Sequence, residues 1–447
     1  MPVSATAATI HVPSIINDRR LGAFQYGVIV LCGLVMLLDG FDTQAIAYMA
    51  PLMAAEWNLS RDVVSLIFSS ALAGLMVGYL ILSPLSDRIG HRKVLLVSTV
   101  MFALLTLATA LARNATEVIA CRLLTGTGLG AAIPSAVALT SEYSPRRFRA
   151  SFVLAIYCGF SLGFVVAGAA AAALLPAYGW RSLLWVGGLA PIALAAVLSV
   201  SLPESIDFLV RTSADRDRIW RLLCRVDPRL SNAPQTNAFT TDEHVRGLLS
   251  GVVESGRGAG TALLWFVFII NLAEFYALQS WLPDVLTRLG YRIADVALAT
   301  SLTTTGGIVA AFVVGPAMDR IGSYAPLVVL YAAGALFVAL TGATLGGARS
   351  MLLTVAFFAG FCVSGGQKSI IALAAVFYPA AVRSTGVGWA LGIGRIGGIA
   401  GPLLFGILLG RYAPAGTFYV AAVPMLFAAA AVAFMGWLYR PKAEGSG

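Results

Sequence analysis

The chain has 447 residues, of which 59% are hydrophobic and only 11% charged, with a mean hydropathy of +0.85 and a formal net charge of +9. A soluble domain carries about 25% charged residues, so this mixture cannot make a water-facing surface, and the bilayer is the expected solvent. The positive balance does not mark a nucleic-acid binder, because the basic residues sit between apolar runs with no aromatic interleaving on a polar domain.

A helix needs about 20 mostly apolar residues to cross the hydrocarbon core. The N-terminal segment 1–23 lacks the basic-then-apolar layout of a cleavable signal peptide, so the first span itself is expected to direct insertion. Apolar windows then fall at 24–50, 62–85, 94–112, 117–141, 150–174 and 181–202. The only long polar stretch, 203–260, is dense in Arg and Asp and carries no catalytic or signalling motif. Six further windows follow at 261–287, 293–317, 325–346, 351–377, 384–410 and 414–438, with a short tail at 440–447. The expected architecture is an all-α membrane protein of twelve transmembrane helices in two six-helix bundles, 24–202 and 261–439, joined by a central loop.

Orientation follows from Lys and Arg in the connections. One set of connections and tails holds Arg19, Arg20, Arg88, Arg92, Lys93, Arg146, Arg147, Arg149, the central-loop arginines, Arg320, Arg383, Arg440 and Lys442. The other set holds single charges such as Arg61, Arg113, Arg181 and Arg349. Both termini and the central loop are therefore expected on the cytoplasmic side. The five cysteines show no CxxC or paired spacing and read as small core hydrophobes. His11, His91 and His244 lie outside the windows and form no metal or nucleophile arrangement, so neither an enzyme nor a metal site is expected.

The two halves repeat. Ser83 to Lys93, SPLSDRIGHRK, follows the second window, and Gly315 to Ser323, GPAMDRIGS, follows the eighth. Duplicated halves around a central cavity are one way to build a transporter, with the substrate near the midplane.

The loop motif at Asp87, Arg88, Gly90, Arg92 and Lys93, its partial copy at Asp319 and Arg320, and Arg122-x-x-x-Gly126-x-Gly128-x-Gly130 together resemble the major facilitator superfamily over nearly the whole chain. Ser83 stands where that motif usually has Gly, and His91 where it usually has a basic residue. Within the superfamily, Asp39-Gly40-Phe41-Asp42 resembles the Asp-Gly-x-Asp signature of the aromatic-acid:proton symporters, the carriers of 4-hydroxybenzoate, benzoate and hydroxyphenylpropionate. Trp281-Leu282-Pro283, Gly365-Gly366-Gln367, Tyr378-Pro379 and the run from Arg383 through Arg395 to Gly397 extend the match. The resemblance implies inward movement of a benzoate-like acid with protons, the proton being the coupling ion and no other cofactor being needed. It also implies a multi-pass protein of a bacterial inner membrane, and a monomer is expected.

Ionisable groups inside a span cost about 2.5–3.5 kcal/mol each on insertion scales and are functional candidates by default. Six stand well inside: Asp39, Asp42, Glu274, Arg122, Lys368 and Arg395. Asp39 and Asp42, three residues apart, share one helix face. Two close carboxylates resist simultaneous ionisation, so the pair suits proton coupling, with Arg122 holding one member charged. The alternative is a permanent Asp–Arg pair locking spans one and four. Glu274 lies outside the family pattern and is a second proton site or a mark of a distinct substrate. Arg395, which the family pattern carries, is the expected anion anchor, and Lys368 is either a second anchor or the salt-bridge partner of Glu274. Tyr276 is expected against the ring, with Tyr157, Trp281, Tyr378 and Trp389 as further aromatics, and Gln367 is expected to hydrogen-bond the substrate. The glycines of span eleven read as a close-packing helix face and not as a nucleotide loop, since no strand precedes them.

By the superfamily resemblance, Asp87, Arg88, Arg92, Lys93, Asp319 and Arg320 are gating charges in cytoplasmic loops, joined by Glu142, Arg147 and Arg383. A drug efflux antiporter of the same fold is the first rival reading. Gly159 to Gly163 in span five runs without the proline such antiporters often carry there. A non-transporting membrane receptor for aromatic acids, signalling through the central loop, is the second.

Overall fold

Wherever the sequence runs apolar for the width of a bilayer, the chain is helical. The computed structural model describes residues 9–18, 21–212, 215–232, 238–240, 252–253 and 256–439. Arg19, Arg20, His244, Arg440, Lys442 and the rest of the 440–447 tail lie outside the described residues.

A three-residue strand, β1 (Thr9–His11), and a short helix, α1 (Val12–Asp18), precede the first span. The first six spans are α2 (Ala23–Trp57), α3 (Arg61–Val77) continued into α4 (Ser83–Ile89), α5 (His91–Ala110), α6 (Ala115–Glu142), α7 (Arg149–Tyr178) and α8 (Arg181–Ser201). The polar stretch after them is not featureless: it carries α9 (Ile206–Arg211), α10 (Arg216–Val226) and a strand, β2 (Ala238–Thr240). β2 pairs in parallel with β1, Thr9 opposite Ala238 and His11 opposite Thr240. The second six spans are α11 (Gly258–Arg288), α12 (Ile293–Ile321), α13 (Tyr324–Thr344), α14 (Arg349–Phe377), α15 (Arg383–Arg411) and α16 (Pro414–Tyr439). Twelve helical stretches among the described residues are long and apolar enough to cross a membrane, as the windows predict, and the two short strands lie outside them.

Local chemistry sets the ends. Gln25 folds back so that its side-chain oxygen accepts the Gly22 N–H at 3.0 Å, starting α2, and Asn58 closes it in the left-handed region at φ 52°. Ser60 caps α3 through the Val63 N–H, and Asn114 caps α6 through the Glu117 N–H at 2.9 Å. Span two is interrupted by a π-helical turn over Gly78–Leu82, which joins α3 to α4 without a break.

The described residues fall into two compact units, those of Met1–Gly251 with Ala375–Trp389 and those of Val252–Ala374 with Ala390–Gly447. Large apolar side chains point outward from the helices: Val97 is 65% exposed and Val200 84% in the first unit, and Phe312 is 67% exposed in the second. In water such surfaces would drive association; here they are the faces for lipid tails. Polar groups turn inward instead, and Thr99, Thr125, Thr300 and Ser369 each donate to the carbonyl four residues back in their own helix.

Within each unit the helices approach at glycines. A Cβ on Gly40 would overlap the Phe160 carbonyl oxygen, and one on Gly163 the Leu37 carbonyl oxygen, so α2 and α7 cross backbone to backbone. Gly397 and Gly401 do the same for α15 against Ile269 and Ala273 of α11, as the close-packing reading of span eleven expects. Small residues permit this where lipid supplies no hydrophobic drive between helices. Gly163→Ala is therefore expected to cost about 1–3 kcal/mol by overpacking, read as a lower unfolding temperature in detergent. Gly27→Ala in α2, with nothing within 4 Å of the added methyl, should leave that temperature unchanged or raise it.

Candidate functional site

In the first unit, Asp39 and Asp42 lie on the inner side of α2 at 2% and 4% exposure. Arg122, buried in the first half of α6, sends Nη1 to both oxygens of Asp42, at 2.8 and 2.7 Å. Among the described residues its Nε has no hydrogen-bond partner. The carboxylate that Arg122 engages is Asp42. Gly40, between the two aspartates, faces the other way and brings α7 against α2. The Asp-Gly-x-Asp pattern thus combines two acids for the interior with one glycine for helix contact.

In the second unit, Arg395 of α15 donates from Nη1 to the hydroxyl of Tyr276 on α11, and its guanidinium carbon lies 5.7 Å from that ring's centroid. Both side chains are half-buried, so a cation and an aromatic face are presented together. Lys368 of α14 is 3% exposed and donates to Ser364 Oγ at 3.0 Å, one turn back in its own helix. It does not bridge to Glu274. Glu274, 5% exposed in the middle of α11, has no hydrogen-bond or ion-pair partner among the described residues. Gln367 is half-buried beside Lys368. Of the other aromatics, Trp281 donates to the Pro402 carbonyl and stacks on Phe405, and Tyr378, which groups with the first unit, is fully buried against Gly386. In the first unit, Trp389 donates to the Leu80 carbonyl and Tyr157 is buried in α7. Trp281, Tyr378 and Trp389 are thus committed to packing, whereas Tyr276 is the one held against Arg395.

The residues read as loop charges prove to be helical. Asp87 and Arg88 belong to α4, Arg92 and Lys93 to the first turn of α5, and Asp319 and Arg320 to the last turn of α12. The reason is that one glycine makes the turn in each repeat: Gly90 at φ 103° and Gly322 at φ 92° take a conformation that other residues rarely adopt. A side chain at Gly90 would also strike the Glu204 carboxylate. His91, expected outside the spans, opens α5 at 1% exposure, with Nε2 3.6 Å from Asp87 Oδ1.

Asp87 is buried and caps a helix. Its Oδ2 accepts the Thr385 N–H at 2.8 Å and the Thr385 hydroxyl at 2.6 Å, in the first turn of α15. A carboxylate there satisfies an orphan N–H and meets the positive end of the helix dipole. Beside it, Ser86 Oγ donates to Ser384 Oγ at 2.6 Å, and Ser83 fills the space that a Cβ on Gly388 would need. Arg383, at the start of α15, is buried as well. Glu142, at the end of α6, accepts the Asp207 N–H of α9 at 2.7 Å. Arg147 lies over the Phe148 ring, and Arg88, Lys93 and Arg320 are exposed. Arg92 turns to α8, where Nη2 donates to the Ser199 carbonyl and its N–H reaches Glu204 Oε1 at 3.0 Å. Burial pushes the Glu204 carboxyl above its ordinary pKa, against the N–H groups of Arg92 and Ser205 and the charge of Arg218.

Sequence reasoning missed α9 and α10. The signal was present in Ile219, Leu222, Leu223 and Val226, an i, i+3, i+4, i+7 stripe that is buried, amid arginines that are not.

A family model described as Major Facilitator Superfamily matches residues 32–241 and 264–447. The chain belongs to the major facilitator superfamily. It is 38% identical over 411 residues to the 4-hydroxybenzoate transporter PcaK of Pseudomonas putida, covering 91% of each chain. It is also 38% identical to a gallate transporter of Pseudomonas putida, covering 90% of this chain and 89% of that one. Among solved structures, the proton:xylose symporter XylE bound to 6-bromo-6-deoxy-D-glucose superimposes with a TM-score of 0.72 at 17% identity, over 94% of this chain and 96% of that one. The protein is therefore a multi-pass membrane transporter of the facilitator fold.

The two buried carboxylates should respond oppositely to neutralisation. Asp42→Asn strips Arg122 of its partner and is expected to cost about 3–5 kcal/mol, the usual penalty for breaking a buried pair. Glu274→Gln removes no partner and should leave the unfolding temperature unchanged or higher. Thermal unfolding of both purified variants in one detergent checks this.

Proposed function

We propose that this transporter takes up a benzoate-like aromatic carboxylate together with protons, by alternating access, across a bacterial inner membrane. The observation that carries the proposal is the arrangement on α2, where Arg122 engages both oxygens of Asp42 while Asp39 stands on the same buried helix face. Asp42 is the carboxylate kept charged, and Asp39 is the one that takes the proton. Glu274, buried without a partner among the described residues, is a second proton-accepting group.

Substrate recognition is assigned to the second unit. A guanidinium is a planar donor fork suited to a carboxylate, and Arg395 is oriented by the Tyr276 hydroxyl with the tyrosine ring alongside. Arg395 would bind the substrate carboxylate, Tyr276 its ring and Gln367 a ring hydroxyl, with Lys368 adding positive charge. The names of the relatives support this class, since 4-hydroxybenzoate and gallate are both aromatic carboxylates. The lysines and arginines concentrated on the side of the central loop support cytoplasmic termini. On that side the Asp87, Ser86 and Trp389 hydrogen bonds are the contacts to be broken in each cycle, and Glu142, Arg147 and Arg383 of the first unit and Asp319 and Arg320 of the second are further gating charges.

The test is uptake by proteoliposomes of benzoate, 4-hydroxybenzoate, gallate and gentisate, with xylose as control, with and without an inward proton gradient. Gradient-driven accumulation of at least one acid and none of xylose is expected. Arg395→Ala should raise the half-saturating concentration about 10–100-fold, the worth of a hydrogen bond to a charged group. Asp39→Asn should abolish accumulation while leaving exchange of labelled for unlabelled substrate. Full gradient-driven accumulation by both Asp39→Asn and Asp42→Asn would remove the proton role from α2.

A further inference from the structure

At the end of α8 nearest the central loop, the first unit holds a cavity of about 300 Å³ whose lining includes none of the residues assigned above to substrate or proton. Four arginines line it, Arg92 from α5 and Arg218, Arg221 and Arg225 from α10, against a single acid, Glu204. That acid is already engaged: Glu204 Oε1 accepts the N–H groups of Arg92 and Ser205, both at 3.0 Å. Arg218, Arg221 and Arg225 are exposed and make no ion pair with any described residue. α10 is fixed by the burial of Ile219, Leu222, Leu223 and Val226, so its arginines stand on a docked helix and not on a free loop.

The apolar part of the cavity is as informative as its charge. Val200, on its wall, is 84% exposed at the end of a membrane-crossing helix. Further along α5 lies a wholly apolar cavity of about 570 Å³, lined by Leu96, Val97, Val100, Met101 and Leu104 with Leu124 of α6. Arg92, Leu96 and Val100 follow one another at four-residue spacing and so share one face of α5. Along α5 the row Arg92, Leu96 and Val100 thus links the lining of the arginine cavity to that of the apolar groove.

We infer that this face binds an anionic phospholipid, its phosphate among Arg92, Arg218, Arg221 and Arg225 and an acyl chain along the groove from Leu96 to Leu104. Guanidinium forks match phosphate oxygens, and basic pockets between spans on the cytoplasmic side suit such headgroups. A free phosphate would use the arginines and leave the groove empty, so the two sources of phosphate are separable by experiment.

Purified full-length protein is titrated with phosphatidylglycerol or phosphatidylcholine and bound lipid is counted by native mass spectrometry, a readout that needs no transport and no knowledge of the substrate. Phosphatidylglycerol is expected to be retained at least several-fold more strongly, and millimolar inorganic phosphate is expected not to displace it. The triple variant Arg218→Gln, Arg221→Gln, Arg225→Gln should lose on the order of a hundred-fold in affinity, taking about five-fold for each arginine near an anionic surface. The corresponding triple lysine variant, which keeps the charge, should retain most of the binding and guards against a folding defect. Equal retention of the two lipids, undiminished binding by the glutamine variant, or displacement of phosphatidylglycerol by phosphate would each overturn the inference.

Discussion

Hydrocarbon offers no hydrogen bonds, and this one deficiency governs the molecule. Each polar group within a span must find its partner inside the protein. Most find it in their own helix, as Thr99, Thr125, Thr300 and Ser369 do by reaching back one turn. Asn271 reaches across to the Val363 carbonyl at 3.2 Å, and Arg122 reaches across to Asp42. Against this background a whole carboxyl left without a partner among the described residues, Glu274, stands out. A group whose burial nothing repays contributes nothing to the fold.

The same solvent explains the glycines. With no hydrophobic drive between helices, attraction comes from close contact, and close contact needs bare backbone on at least one side. Gly40, Gly163, Gly397 and Gly401 supply it. The rule also accounts for the departure at the head of the loop motif. Where the family usually has glycine, this chain has Ser83, and the space its side chain needs is given up by Gly388 on the facing turn of α15. The serine hydroxyl is satisfied by the Tyr79 carbonyl at 2.7 Å.

How much of this the amino-acid sequence discloses depends on the range of the interaction. The spans are legible because their signal is a sum over about twenty residues. The Asp42–Arg122 pair was legible although 80 residues separate its members, since ionisable groups are so rare in spans that few pairings compete. The fate of Lys368 was not, because a hydroxyl on its own helix at Ser364 was nearer than the carboxylate on another helix, and burial alone does not order such choices. The central loop misled for a different reason. Averaged over 203–260 it is polar, and averaging erases the four-residue apolar stripe on which α10 docks. Asp87 reads as a loop charge in the sequence because Asp, Arg and Gly compose turns, whereas a single glycine at positive φ suffices to turn the chain between two helices.

The division of the chain into units adds a constraint on how it can work. Ala375–Trp389, the end of α14 and the opening of α15, groups with the first unit, although the helices on either side of it group with the second. Its attachments include two hydrogen bonds from Thr385 to Asp87, one between Ser86 and Ser384, and one from Trp389 to the Leu80 carbonyl. A neutral hydrogen bond contributes about 0.5–1.5 kcal/mol net and one to a charged group about 1.5–3, so the set amounts to several kcal/mol. That is near the few kcal/mol that separates the states of a protein with two populated conformations. Contacts made of packed hydrophobic side chains over the same length would be harder to break and slower to remake. A short polar latch on a helix N-terminus, closed by one carboxylate, is what holds this segment to the first unit.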